Sequence, residues 1–462
     1  RRTSLIIEEL TNNPDIDGQI CKQFIAEARC LRVMVYSWMV RRWGGVMLVD
    51  KLMTPSDEML MSRSTEEEMY RFMVNELKLA ISDLPSTANK ERFTKGAALT
   101  LLTRVSLEGG LYDETIAAGK QLFEGEEAAN WSIDPEYRKM FGSFSYPETS
   151  PEIQFYFTQG DKKQYCENLL PMYVAGTLAP GRNIMGPAFN DKVDAWCANW
   201  PSHELTEAYL AIDVEGDQTA KHYTETAKWK NAPVKTASIM YSNRDKRLDA
   251  TICYDGTTYF TSPIEMDTKG NCYWENTQNH GFMTQSGYMW RKYIYELDGT
   301  DALPGYQILY DFRYILFRLG EACLNYAEAL GRKGEIDKAI RMMNMTRTQH
   351  GGLPALPESS SEADFWKYYK IERRVELALE GDRYFSVIRW AKVENATSVS
   401  EFNKRTHCII IDGDDDTFTL IDTSHGSSTG SDRVFSWPRR MYFPLPESEL
   451  MSNPNLQQNN HW

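Results

Sequence analysis

Apolar residues recur at helical spacing in two blocks of the chain, separated by a stretch in which that spacing dissolves. Segments 25–40 and 66–84 read as amphipathic helices, the second stopped by Pro85. Segments 95–108 and 113–123 read as two helices joined by a short turn at Gly110, and 318–333, Gly334 and 337–347 repeat that design. In each pair the glycine is followed three residues later by an aspartate, Asp113 or Asp337, placed to cap the second helix. The pairs partly match tetratricopeptide units, best at Gly334, Asp337 and Ala339. Such units stack on neighbours, so four packed helix pairs are expected. Between the blocks, short strand patterns are broken by Gly, Pro and Asn. Tyr254-Asp255-Gly256-Thr257-Thr258-Tyr259 reads there as a hairpin with Asp-Gly at its turn. The expected fold is mainly α: a tetratricopeptide-like helical-pair scaffold at 1–130 and 311–462, with an irregular, loop-rich lobe of short strands at 131–310. Loops concentrate function, so the lobe is the expected ligand site.

The densest pattern lies between Ile371 and Trp390. Ile371, Val375, Ala378 and Leu379 form an apolar helical face, while Glu372, Glu376 and Glu380 stack four apart, which is repulsive without cations. Arg373 and Arg383 lie within three residues of Glu376 and Glu380 and are the expected partners. An ion-paired helix under the aromatic residues Tyr384, Phe385 and Trp390 is the structural reading.

The wording of this helix also resembles the SusD/RagB family of outer-membrane nutrient-binding lipoproteins of the Bacteroidetes, and further segments agree in order. Glu27-Ala28-Arg29, Leu31-Arg32, Tyr36 and Arg42-Trp43-Gly44-Gly45 resemble the family's first long helix and its closing turn. Ser150-Pro151-Glu152-Ile153, Asn243-Arg244-Asp245-Lys246-Arg247-Leu248 and Phe317-Arg318-Leu319-Gly320-Glu321-Ala322 through Leu330 follow. The ending around Pro444–Leu450 and Asn453–Leu456 also matches. Departures are Ser202-His203, where Thr-Gln is usual, and Lys246, where proline is common. The resemblance implies a non-catalytic, surface-exposed glycan receptor that passes its ligand to a TonB-dependent SusC-like transporter. It also implies a lipid anchor upstream of this chain. Some relatives take peptides, so a peptide ligand stays open, and a glycoside hydrolase is the rival from another class.

Charge narrows the partners. Asp plus Glu total 65 against 51 for Lys plus Arg, a net charge of −14, and there is no basic run. Nucleic acid and anionic lipid surfaces are therefore poor partners. No apolar run approaches the roughly 20 residues of a membrane-spanning helix. The eight cysteines include no CxxC and no zinc-like cluster, and no cofactor is expected. Asp412, Asp414 and Asp416 mimic the first positions of a calcium loop. However, Thr417 stands where glycine is required and Thr423 where a bidentate glutamate is required, so an acidic turn is the alternative.

No phosphate loop or dinucleotide fingerprint is present, and no enzymatic activity is expected. What stands out is aromatics in loop-like context: Trp196, Asn199 and Trp200, with Tyr173 and Asn190 nearby, and Trp274 with Asn276. Aromatic faces cover the C–H faces of a sugar ring, and amides bond its hydroxyl rim. The alternative for each tryptophan is partial burial at a core edge, which is the expectation for Trp229 and Trp290.

Overall fold

The structure, a computed structural model, describes residues 1–11, 13–159, 197–260, 262–276, 284–298, 312–422 and 434–462. Among them, nine helices of ten or more residues form the scaffold: α1 (Arg2–Thr11), α2 (Gly18–Trp43), α3 (Glu66–Ile81), α4 (Lys95–Glu108), α5 (Tyr112–Phe123), α6 (Leu319–Arg332), α7 (Ile336–Gln349), α8 (Glu362–Glu376) and α9 (Arg383–Val393). Side chains fix several starts. Asp17 caps α2, Thr94 caps α4, Ser361 caps α8, and Thr65 with Glu68 forms a reciprocal capping box on α3. No described helix is long and apolar enough to cross a membrane.

The α4–α5 and α6–α7 turns are near copies. Gly110 and Gly334 adopt φ of 70° and 80°, a region open to glycine. The next residues, Leu111 and Glu335, share φ/ψ of −86/63° and −84/60° and donate their N–H to the carbonyl five residues back. Asp113 and Asp337 do not cap, contrary to the expectation, because this turn starts each helix two residues earlier. Both lie in the first turn, where a carboxylate favours the helix dipole, and Asp113 pairs across to Lys333 at 2.9 Å.

One large core joins the helices, with Met69, Met73, Leu77, Ala97, Leu101, Ala322, Leu324 and Ala327 fully or almost fully buried. Helices α5 and α6 approach so closely that a Cβ at Gly119 would lie 2.4 Å from the Tyr326 ring. The architecture is therefore mainly α, built of tetratricopeptide-like helical pairs.

The other described residues form the irregular part, with five two-stranded sheets among them. The chain leaves the scaffold on β1 (Ile153–Gln159) and returns on β8 (Phe312–Arg318), which pair antiparallel. Between these lie β2 (Ala211–Ile212), β3 (Ala220–Lys221), β4 (Ile252–Cys253), β5 (Thr258–Tyr259), β6 (Ser262–Pro263) and β7 (Met289–Trp290). A final hairpin joins β9 (Cys408–Ile411) to β10 (Phe418–Ile421). The expected 254–259 hairpin does not form. Thr257 N–H does close a turn on the Tyr254 carbonyl at 3.1 Å, but β4 pairs with β7 and β5 with β6. Burial decides this. Cys253 and Tyr259 enter a separate small core with Met289 and Trp290, which two-residue strands gain more from than from each other. The seven described cysteines are buried and free.

Candidate functional site

The three glutamates of the densest motif do not use their near neighbours. Helix α8 ends at Glu376, and Leu379, with φ of 62°, turns Glu380 back towards the same buried cluster. Glu372 accepts from Arg247 and from Thr346 Oγ1 at 2.7 Å. Glu376 accepts from Arg247 at 2.7 Å, Arg318 at 2.5 Å and His350 Nδ1 at 2.9 Å. Glu380 accepts from Arg318 and Lys292, both at 2.7 Å. Glu152 receives His350 Nε2 and Arg318, both at 2.9 Å. The expected local partners point elsewhere: Arg373 grips Asp382 at 2.6 Å, and Arg383 grips Glu401 at 2.6 Å. Burial is the reason. Carboxylates taken out of water need several donors each, and Arg247, Arg318, Lys292 and His350 from distant segments supply them, while the equally buried Arg373 is committed to Asp382.

Burial would push the His350 imidazole down, but Glu376 and Glu152 outweigh it and hold it up at about 10. The same pairing, with Arg318, keeps Glu376 well below the carboxylate range despite burial. Ligand atoms of Glu152, His350 and Glu376 lie within 4.8 Å of one another, a spacing a metal also uses. Here the imidazolium itself is the central cation, and Arg318 and Arg247 already flank the carboxylates. Gly320 belongs to this cluster: a Cβ there would lie 2.4 Å from Arg318 and 2.7 Å from Glu152. The motifs legible in the sequence therefore build a structural ion network.

Of the residues singled out for ligand contact, Tyr173, Asn190 and Trp196 lie outside the described residues. Trp200 is half-buried against the small core of Cys197, Cys253 and Trp290. Asn199 accepts a hydrogen bond from Trp290 Nε1 at 3.1 Å, so its carbonyl oxygen supports a core tryptophan. Trp274 is half-buried at the start of a single turn, Trp274–Asn276. Asn276 donates its amide to the Thr268 and Gly270 carbonyls, both at 3.1 Å. Trp290 is buried, and Trp229 packs edge-on to Tyr223 at 4.9 Å, as expected of core residues. The aspartates of the calcium-like run occupy the β9–β10 turn. Asp412 accepts from Asp414 N–H, Asp416 accepts from Ser238 N–H, and Asp414 pairs with Lys269, so each carboxylate has its own protein donor.

A cleft of about 350 Å³ opens between the end of α2, β8 and the turn from α8 to α9. Trp38, Tyr314 and Phe385 give it aromatic walls. Its carboxylates are engaged: Glu321 by Arg104 at 2.6 and 2.5 Å, and Asp382 by Arg373. Burial would raise both acids, but these arginines outweigh it and lower them. Arg41 pairs with Glu108 at 2.9 Å and lies over the Phe385 ring at 4.1 Å. Arg42 makes no ion pair among the described residues and donates only to the Trp38 carbonyl, at 3.0 Å. The sequence carries one signal for this cleft: Trp38 and Arg42 are four apart and so share a helix face.

Comparison with known proteins assigns the fold and the family. A family model described as the SusD family matches residues 172–462, and one described as starch-binding associating with outer membrane matches residues 2–107. A SusD-like protein of Bacteroides ovatus is 22% identical over 457 residues, covering 94% of this chain and 73% of that protein. A solved SusD-like protein of Bacteroides fragilis superposes with a TM-score of 0.78 at 24% identity, covering 100% of this chain and 84% of the other. A SusD-like carbohydrate binding protein of the same species gives 0.73 at 21% identity, covering 99% and 84%. The chain belongs to the SusD family.

Proposed function

We propose that this protein is a carbohydrate receptor that binds a glycan without cleaving it. The supporting observation is the aromatic-walled cleft whose acids are tied up by arginines. A sugar ring can lie on Trp38, Tyr314 or Phe385, and the cleft volume, about 350 Å³, is that of a small-ligand site. Glycoside hydrolysis needs one carboxyl that stays protonated to serve as acid. Glu321 and Asp382 are both held down instead, which suits binding. The name of the B. fragilis relative and the starch-binding description of the N-terminal model support the same class of ligand.

The lobe tryptophans belong to this proposal as a separate contact, with Trp196, Trp200 and Trp274 as platforms and Tyr173, Asn190, Asn199 and Asn276 beside them. The exposed Asn199 and Asn276 would meet sugar with whatever valence their internal bonds leave. At the level of the cell, the reading places the protein at the outer-membrane surface on an upstream lipid anchor. It would deliver the glycan there to a SusC-like TonB-dependent transporter, a partnership that co-purification from membranes checks. Affinity electrophoresis through gels of plant, host and microbial polysaccharides tests the receptor itself. Retardation in one gel with no new reducing ends supports the proposal. Free migration in every gel, or released reducing ends, overturns it.

A further inference from the structure

We propose that the cleft between α2 and β8 selects an acidic sugar, a hexuronate, with Arg42 as the carboxylate-binding residue. The idea rests on the carbohydrate-receptor reading and adds the charge of the ligand. Every carboxylate lining the cleft is already matched: Glu321 by Arg104, Asp382 by Arg373, and Glu380 by Arg318 and Lys292. The cations are not all matched. Arg41 is answered by Glu108, whereas Arg42, adjacent in sequence, has no carboxylate partner among the described residues. Both guanidinium groups gather at one ring, Arg41 at 4.1 Å and Arg42 at 5.6 Å from the Phe385 centroid. The cleft therefore holds one uncompensated positive charge beside an aromatic face.

A guanidinium fork matches a carboxylate in two parallel hydrogen bonds, and an aromatic face suits the C–H face of a pyranose. A hexuronate carries both features on one ring. The chain's net charge of −14 opposes a densely charged polyanion, so the site favours a single hexuronate or a chain bearing few of them.

Titration calorimetry on the full chain, with galacturonate and glucuronate against galactose and glucose at low salt, reads this directly. The acids should bind at least about tenfold more tightly than the neutral sugars, the scale of one charged hydrogen-bonding partner. The methyl ester of galacturonate, which removes the charge but keeps the ring, should fall back to the neutral level without any change to the protein. Arg42→Gln should erase the roughly tenfold preference for acids over neutral sugars, while Arg42→Lys retains part of it. Equal binding of acid and ester, or full acid binding by a folded Arg42→Gln protein, overturns the inference. Retention in a neutral polysaccharide gel with no uronate binding overturns it too but leaves the receptor reading standing. If no gel retards the protein and no sugar binds, both fall.

Discussion

The ion network under α8 and the cleft beside α9 are built from the same residue types and behave oppositely. In the network, Glu152, Glu372, Glu376 and Glu380 meet Arg247, Arg318, Lys292 and His350, all buried or nearly so, and each charge has at least one partner. In the cleft, Arg42 carries a charge with no protein answer among the described residues, beside the aromatic side chains that line the walls. A closed network ties together segments far apart in the sequence, since Arg247, Lys292, Arg318 and Glu376 lie in four different stretches of the chain. An open valence is what a ligand can use.

The largest expected effect comes from opening the closed side. Arg318→Ala takes one buried donor from each of Glu152, Glu376 and Glu380, which keep only His350, Arg247 and Lys292 between them, and should cost about 3–5 kcal/mol, if the protein folds at all. Denaturant unfolding reads this, and a loss below about 1 kcal/mol would mean that the cluster is not buried as described.

The pH dependence of the network follows. His350 has its folded pKa raised, to about 10 from an ordinary 6.5. Its stabilisation is therefore complete below about 6.5 and fades as pH rises through 10. Lys292 has the opposite sign. Burial lowers it to about 8, so its charged form costs stability at neutral pH and its deprotonation relieves that cost. The difference between the wild type and His350→Gln across pH 6.5–10 isolates the imidazolium. The gap in stability should be large at pH 6.5 and narrow by pH 10. A gap independent of pH would show His350 neutral in the folded protein.

On the open side the effects fall on affinity. Phe385→Ala should weaken binding of a retained glycan by about 1–2 kcal/mol, as loss of one stacking face does, while the fold survives. Trp200→Ala and Trp274→Ala should lower affinity as well if the lobe contacts the glycan, and unchanged affinity removes them from the site. The smallest effect belongs to the β9–β10 turn. Asp414→Asn should change stability by less than about 0.5 kcal/mol, and added calcium should leave the melting temperature unshifted, because its aspartates answer separate donors.

Much of the scaffold was readable because periodicity and turn chemistry are local. Gly110 and Gly334 announced two copies of one turn, and the positions of Trp43-Gly44 and Pro85 announced helix ends. Even there the capping role of Asp113 and Asp337 failed, since side-chain capping depends on where the turn releases the chain. The motif Glu372-Glu376-Glu380 was conspicuous, but its partners were not, because Arg247 and Arg318 reach it only through the fold. The cleft was nearly silent: the pair Trp38 and Arg42, Tyr314 and Phe385 come from three segments far apart in sequence, and each reads as ordinary helix or strand. Aromatic clusters such as Trp196–Trp200 were loud in sequence, and in the described part Asn199 and Trp200 turn out to brace or border a small core.

The most direct test is titration of one retained glycan into wild-type protein and into Phe385→Ala, with reducing ends measured in the same samples. The account predicts saturable binding, a loss of about tenfold in the variant with an unchanged melting temperature, and no reducing ends from either. Full affinity in a folded Phe385→Ala protein would place the sugar elsewhere, and reducing ends from the wild type would make the protein an enzyme.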